Sequence, residues 1–333
     1  MTAAAVPVAA LLDATAPPER RGIARDAVSM LVTDRQHRRH SHARFYDLPS
    51  FLRAGDLLVV NDSGTLPAAL VARRNGGERL TLHLSTRIGG DLWMVEPRSG
   101  VRAGETLELD GGGSVAMLSP VDPERPRVWY GSFKLPMQMH AYLMKNGAPI
   151  RYRYLQERFP LDDYQTIFAR RAGSSEMPSA ARPFTNCVLE ELQERGVALA
   201  AITLHCGVAS FEKPERPSLE RFSVSHSTAT AVNNARTDGR RVIAVGTTVL
   251  RALESAWQDG EVATSSGWTD LVLEERSDVK SVDGLLTGFH DAASTHESLL
   301  RAFLDDELLS TAYGQAIELG YYQHEFGDVH LVL

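Results

Sequence analysis

At 333 residues, the chain is long enough for about two domains of ordinary size. With 43% hydrophobic and 23% charged residues, its make-up is that of a globular protein and excludes collagen, coiled coil and wholesale disorder. The 35 basic residues against 42 acidic ones leave a net charge of −7, so there is no global attraction for nucleic acid or anionic lipid.

Residues 1–18 read as a loosely held arm ended by Pro17 and Pro18, and without a basic start they do not resemble a signal peptide. Segment 20–44 carries arginines at 20, 21, 25, 35, 38, 39 and 44, interleaved with His37, His40 and His42. Within it, 27–34 reads as a short strand; the His/Arg run reads as a solvated loop or, as the alternative, a phosphate contact that would make segment 20–44 an RNA-binding element. The stretch 45–64 reads as a helix, a Gly-Asp turn and a buried strand at 57–60, followed by turn chemistry at Asn61, Asp62, Ser63 and Gly64.

From about 65 to 133 the texture changes to short alternating runs separated by glycine turns, which predicts a small β-barrel or sandwich. A helix is expected over 135–147, stopped by Gly147. Beyond it, helices at 188–196, 226–239 and 249–260 alternate with buried strands at 197–205 and 240–248. Another strand end follows at 285–290, then one or two helices in 297–320 and a terminal strand at 328–333. Strands alternating with helices of this length predict an α/β body with a mixed sheet. The expected organisation is therefore a main domain of 1–64 and 134–333, interrupted by a barrel-like domain of 65–133.

In open α/β sheets, ligands bind beyond the carboxyl ends of strands. Four strand ends here finish in polar, small or histidine residues: Asn61 with Asp62; His205, Cys206 and Gly207; Gly246, Thr247 and Thr248; and Gly288, Phe289 and His290. Together they predict a ligand cleft. The Gly-Thr-Thr turn leads into a helix bearing Arg251 and Glu254, a local ion pair or a grip on a substrate with Glu254 orienting it. His205 and His290 are candidate bases, whereas Cys206 reads as a small structural thiol. The tail residues His324, Glu325, Asp328 and His330 do not find a second ligand cluster, so no metal is expected. There is no Walker A motif, no dinucleotide-binding glycine run outside the barrel block, no zinc spacing and no GxSxG. Two cysteines cannot make a disulfide framework, which suits a reducing cytoplasm. No run of 18 apolar residues predicts a membrane span.

In order along the chain, several pieces resemble the S-adenosylmethionine:tRNA ribosyltransferase-isomerase family of queuosine biosynthesis. They are PPERRG at 17–22; His42 with Phe45, Tyr46, Asp47 and Leu48; Gly55 through Asn61; and Tyr164, Gln165, Thr166, Ile167 and Phe168. Then come Thr203, Leu204, His205, Gly207 and Phe211; Val245 through Thr248 with Arg251, Leu253, Glu254 and Ser255; Thr287, Phe289 and His290; and Gly327 with Asp328.

The resemblance implies an α/β body with an inserted barrel, and an enzyme that uses S-adenosylmethionine as a ribosyl donor, not a methyl donor. A base removes a C5′ hydrogen acidified by the sulfonium, an amine on a modified tRNA base attacks, and rearrangement expels adenine and methionine. For these roles the candidates are His205 or His290 as the base near C5′, with Glu254 orienting the site. The candidates for donor binding are Asn61, Asp62, Gln165, Gly246, Thr247, Thr248, Arg251 and Asp328.

The chain departs from the family pattern where Pro-Thr-Ala-Gly-Leu-His-Phe becomes Pro178, Ser179, Ala180, Ala181, Arg182, Pro183 and Phe184, with Glu176 and Met177 before it. Other departures are Asp291 to Thr295 in place of Leu-Pro-Glu-Ser-Thr, and Thr228 in place of a glutamate. Charge changes in strand-end loops alter substrate chemistry more readily than fold. The reading is therefore an S-adenosylmethionine-dependent enzyme with an altered acceptor, a small molecule or none, with specificity set by Glu176, Ser179, Arg182, Glu325 and His330. The alternatives are a true tRNA ribosyltransferase-isomerase and a non-catalytic nucleoside-binding protein. No membrane or obligate protein partner is expected.

Overall fold

A computed structural model describes residues 10–208, 219–273, 277–290 and 299–333. Phe211 and the 291–295 departure lie outside these residues, as do the first nine residues of the expected arm.

The body is a nine-stranded mixed sheet. From one edge to the other its strands are Ser265–Thr269, Glu220–Val224, Ala198–Leu204, Leu57–Asn61, Val242–Val245, Gly284–Gly288, Val329–Val332, Ser29–Asp34 and Arg39–Arg44. The four from Ala198–Leu204 to Gly284–Gly288 run parallel. The strands flanking this block on either side are antiparallel to it.

The central strands are buried along their whole length because helices cover both faces. Successive side chains point to opposite faces. Thus Leu57, Val59, Val242 and Ala244 pack into one core with the helices His226–Thr237 and Thr247–Ser255. Leu58, Val60, Ile243 and Val245 pack into the other, against Phe45, Phe184 and the Asn186–Glu194 helix.

The block after Thr65 is a closed six-stranded antiparallel barrel whose strands run from Ala69–Arg73 to Trp129–Lys134. Its inward alternation places Leu70, Leu82, Val95, Leu107, Val115 and Phe133 in one interior, as the short alternating runs predict. The Met139–Asn146 helix closes against that interior with Tyr142 and Leu143. Gly147 ends the helix, and a Cβ there would meet the Pro67 carbonyl oxygen at 2.1 Å, so only glycine fits this approach.

Four local expectations change. The His/Arg run is no loop: Arg39–Arg44 forms the edge strand, paired residue by residue with Ser29–Asp34. The expected turn after Asn61 contains a short strand, Ser63–Thr65, parallel to Arg171–Ser174. Only Leu48–Phe51 of the helix expected in 45–64 is α-helical. Part of the expected arm is also tied down, since Leu12–Asp13 pairs with Tyr322–Gln323. Among the described residues no helix is long and apolar enough to cross a membrane.

Candidate active site

Because the four central strands are parallel, their carboxyl ends lie along one edge in the order His205, Asn61, Gly246 and Gly288. The sequence reading named these four ends, and the topology brings them together. A fifth element joins them from outside the sheet: the short turn Ser179–Ala181 abuts Gly246, whose own Cβ would lie 3.5 Å from that of Ala180.

His205 is fixed at its Nδ1 edge, 2.8 Å from the Ser63 hydroxyl, which in turn lies 2.6 Å from the Ser174 hydroxyl. A Cβ on Gly173 would collide with the ring, so this glycine makes room for the imidazole. Burial, with help from the Arg221 charge, lowers the His205 pKa below its ordinary value against the opposing pull of Asp62. The ring is thus neutral near pH 7 and able to accept a proton. His290 is pushed further, to about 4, by burial and by the neighbouring His324.

Asn61 is a stitch between elements. Its Nδ2 donates to the Leu204 carbonyl and to the Thr248 hydroxyl, while its Oδ1 accepts from the backbone of Ser63 and Leu204. Asp62 accepts from the Thr203 hydroxyl at 2.6 Å. Gly246 occupies the cap position of its helix at φ 98°, ψ 151°, with no side-chain cap. Thr248 therefore serves Asn61 and does not cap the helix in the way a threonine at such a junction often does.

Arg251 does not pair with Glu254. Its guanidinium donates to the Leu271 carbonyl and to Glu220, and Glu220 receives the Gly207 amide at 2.8 Å. The Nη2 of Arg251 is buried with no partner among the described residues. Sequence reasoning missed Glu220, whose partner lies 31 residues away in the chain. It missed Ser63 and Ser174 as well, which no motif marks.

Glu254 sits elsewhere. Its Oε1 accepts from the backbone amides of Lys280 and Ser281 and from the Ser281 hydroxyl, just before the strand Gly284–Gly288 begins. That is the opposite edge of the sheet, so Glu254 anchors a loop there.

The remaining candidates are also spoken for. Gln165 clasps the backbone of Thr65 in both directions. Asp328 receives the amides of Ser29 and Tyr322, tying the tail to the sheet, and burial raises its pKa. His330 is buried in the sheet, stacked on Phe289 and 2.7 Å from the Thr33 hydroxyl; burial lowers its pKa to about 3.

Arg182, only 2% exposed, donates to Glu19 and to the Asp163 carbonyl and lies over the Phe326 ring. The backbone carbonyl of Ser179 receives the Arg182 amide. Glu176 and Glu325 accept from the Tyr152 and Tyr154 hydroxyls. Those tyrosines stack in parallel, and His324 stacks on Tyr154 with centroids 3.9 Å apart. Cys206 is buried and its thiol pKa is pushed up by burial, which does not suit a nucleophile. Among the described residues no group of three His, Cys, Asp or Glu side chains is arranged to hold a metal.

The model of the family described as "Queuosine biosynthesis protein" matches residues 8–332. The chain belongs to this family. An S-adenosylmethionine:tRNA ribosyltransferase-isomerase from Moorella thermoacetica is 37% identical over 93% of this chain and 94% of its own length. The protein of the same name from Thermus thermophilus is 36% identical, over 93% of each. The crystal structure of an S-adenosylmethionine tRNA ribosyltransferase from Thermotoga maritima superposes with a TM-score of 0.56 at 28% identity, covering 97% of this chain and 96% of that one. The expected family and the expected α/β body with a barrel are both borne out, and the expected class of enzyme, a transferase–isomerase, is that of these relatives' names.

Proposed function

We propose that this chain transfers the ribosyl group of S-adenosylmethionine to tRNA, as the names of its relatives describe, with an amine on a modified base as the acceptor. The match over residues 8–332 carries the proposal, because it spans both the sheet and the barrel. Such an enzyme works where tRNA is, in the cytoplasm.

In this reading His205 is the base that takes the C5′ proton. Its Nδ1 is engaged by Ser63, which leaves the opposite ring nitrogen for the donor and fixes the ring's orientation. A pKa near 4 makes His290 a poor match to a base working at neutral pH. The unpartnered buried Nη2 of Arg251 is a donor suited to the methionine carboxylate, with Glu220 holding the guanidinium in place. Amides in the first turn of the helix Thr247–Ser255 add a favourable field for the same anionic group.

A changed acceptor has less support. Arg182 and Glu176, the departures that suggest it, are engaged by Glu19 and Tyr152 inside the protein. Arg182 thus reads as a repacked structural position.

The test is incubation of the purified protein with S-adenosylmethionine, with and without tRNA bearing preQ1. Methionine and adenine are expected only when that tRNA is present. Release without tRNA would establish a small-molecule or lyase reaction, and binding with no product would establish a non-catalytic protein; either result overturns the proposal.

A further inference from the structure

A cavity of about 320 Å3 lies next to Thr65, whose hydroxyl donates to the carbonyl of the lining residue Tyr164, and shares none of the site residues described above. It is at the small end of the range for ligand pockets. Its floor is apolar and aromatic, including Met144, Phe159, Leu161 and Tyr164, and its rim carries Arg151 and Arg158.

The arginines of this rim differ from others in the chain. Arg25, Arg74 and Arg241 pair with Glu19, Glu105 and Asp56, as an acidic surface favours. Arg151, Arg153 and Arg158 are exposed and have no acidic partner among the described residues. Two unpaired guanidiniums at an aromatic pit, Arg151 and Arg158, with Arg153 exposed close by in the chain, on a chain of net charge −7, are complementary to an anion with a flat ring.

The same segment faces two ways. Arg151 and Arg153 are exposed, while the intervening Tyr152 and the following Tyr154 turn inward to Glu176 and Glu325. Tyr154 stacks on His324, which is close enough to His290 at the strand-end edge to act on its charge.

We propose that this cavity and its arginine rim form a subsite for single-stranded RNA. Arg151 and Arg158 hold phosphates, and the base of a nucleotide flanking the modified one enters the pit against Phe159 and Tyr164. Unstacked loop bases are recognised in this way, by aromatic faces together with guanidinium groups on the backbone. The inference rests on tRNA being the acceptor.

The experiment is anisotropy titration of a labelled tRNA stem-loop that carries the acceptor base, across a salt series, with a second set of stem-loops carrying 2-aminopurine at positions flanking that base. The proteins are wild type, the double variant Arg151→Ala/Arg158→Ala, and Arg195→Ala as a control. Arg195 is exposed at the end of its helix on the opposite edge.

The double variant is expected to bind about tenfold more weakly, and its log–log salt slope to fall by about two, one for each phosphate that is no longer neutralised. Arg195→Ala stays at wild type, and S-adenosylmethionine raises the melting temperature of all three proteins equally. At one flanking position, 2-aminopurine emission changes on binding to wild type and not on binding to the double variant. If wild type binds and modifies tRNA while the double variant keeps its affinity and slope, this inference is wrong and the tRNA reading stands. An altered slope with no emission change at any flanking position refutes entry of the base. If wild type does not bind the stem-loop at all, both fall.

Discussion

The assignment of Arg182 to structure predicts an asymmetry in stability. The Arg182 side chain is 2% exposed, whereas its partner Glu19 is 37% exposed. Removing the acid by Glu19→Ala strands a guanidinium that cannot reach water and sits within range of the like charge of Arg25. Stranded buried charges cost about 3–5 kcal/mol, and the partial exposure of Glu19 puts this one at the low end of that range. Removing the base by Arg182→Leu leaves an acid that rehydrates at the surface. Its cost is the bond to the Asp163 carbonyl and the packing over Phe326, ~1 kcal/mol after leucine fills the space.

In the Arg182→Leu background, Glu19→Ala is nearly silent, so the coupling energy of the pair is ~2–3 kcal/mol. Urea denaturation of the four proteins measures it, with Glu19→Ala shifting the midpoint by about 1 M. The pH dependence has a fixed sign. Burial alone would raise the Glu19 pKa, but hydrogen bonds from Arg25 and its own backbone, with the charge of Arg182, hold it below 4.5. The contribution of the pair is therefore complete above pH 4.5 and is lost as pH falls through the depressed value. Equal losses from the two single variants, or a coupling under ~0.5 kcal/mol, would refute the structural role and return Arg182 to the substrate.

His205→Gln is expected to lower kcat by at least about a hundredfold while S-adenosylmethionine still raises the melting temperature; isothermal titration and product assays separate the two effects. If His205 is the base, wild-type kcat/KM falls on acidification below about pH 6.5, as the ring takes up its proton. Gly246→Ala makes only ordinary contacts, 3.5 Å or more from its neighbours, but forces a side chain to φ 98°, ψ 151°, a region nearly reserved for glycine, and should cost ~1–3 kcal/mol in denaturation. Buried His330, with its pKa near 3, binds a proton more readily unfolded than folded. Stability therefore drops as pH falls from 6.5 toward 3, and His330→Leu should flatten that limb in melts recorded across the range.

What the sequence disclosed, and what it hid, follows from the range of the interactions. Leu57–Asn61 and Val242–Val245 declare themselves because every residue is buried, and the polar residues just after them mark strand ends. That suffices to find the edge, since parallel strands put all such ends on one side. Arg39–Arg44 has no apolar alternation to read. It becomes a strand because its neighbour supplies a full ladder and because Tyr321, Gln315 and Thr33 accommodate its histidines.

The site residues divide in the same way. The positions of His205 and Gly246 follow from local pattern, but what each side chain does depends on partners far away in sequence: Ser63 for His205, Leu204 and Thr248 for Asn61, and Glu220 for Arg251. Glu254 shows the cost of reading spacing alone. Three residues beyond Arg251, it shares a helix face with it, yet it lies a turn closer to the other end of a helix that crosses the sheet from one edge to the other. There the amides of Lys280 and Ser281 claim its carboxylate. Along such a crossing helix, distance from the glycine turn, and not the face shared, decides whether a residue can reach a donor bound at the strand ends.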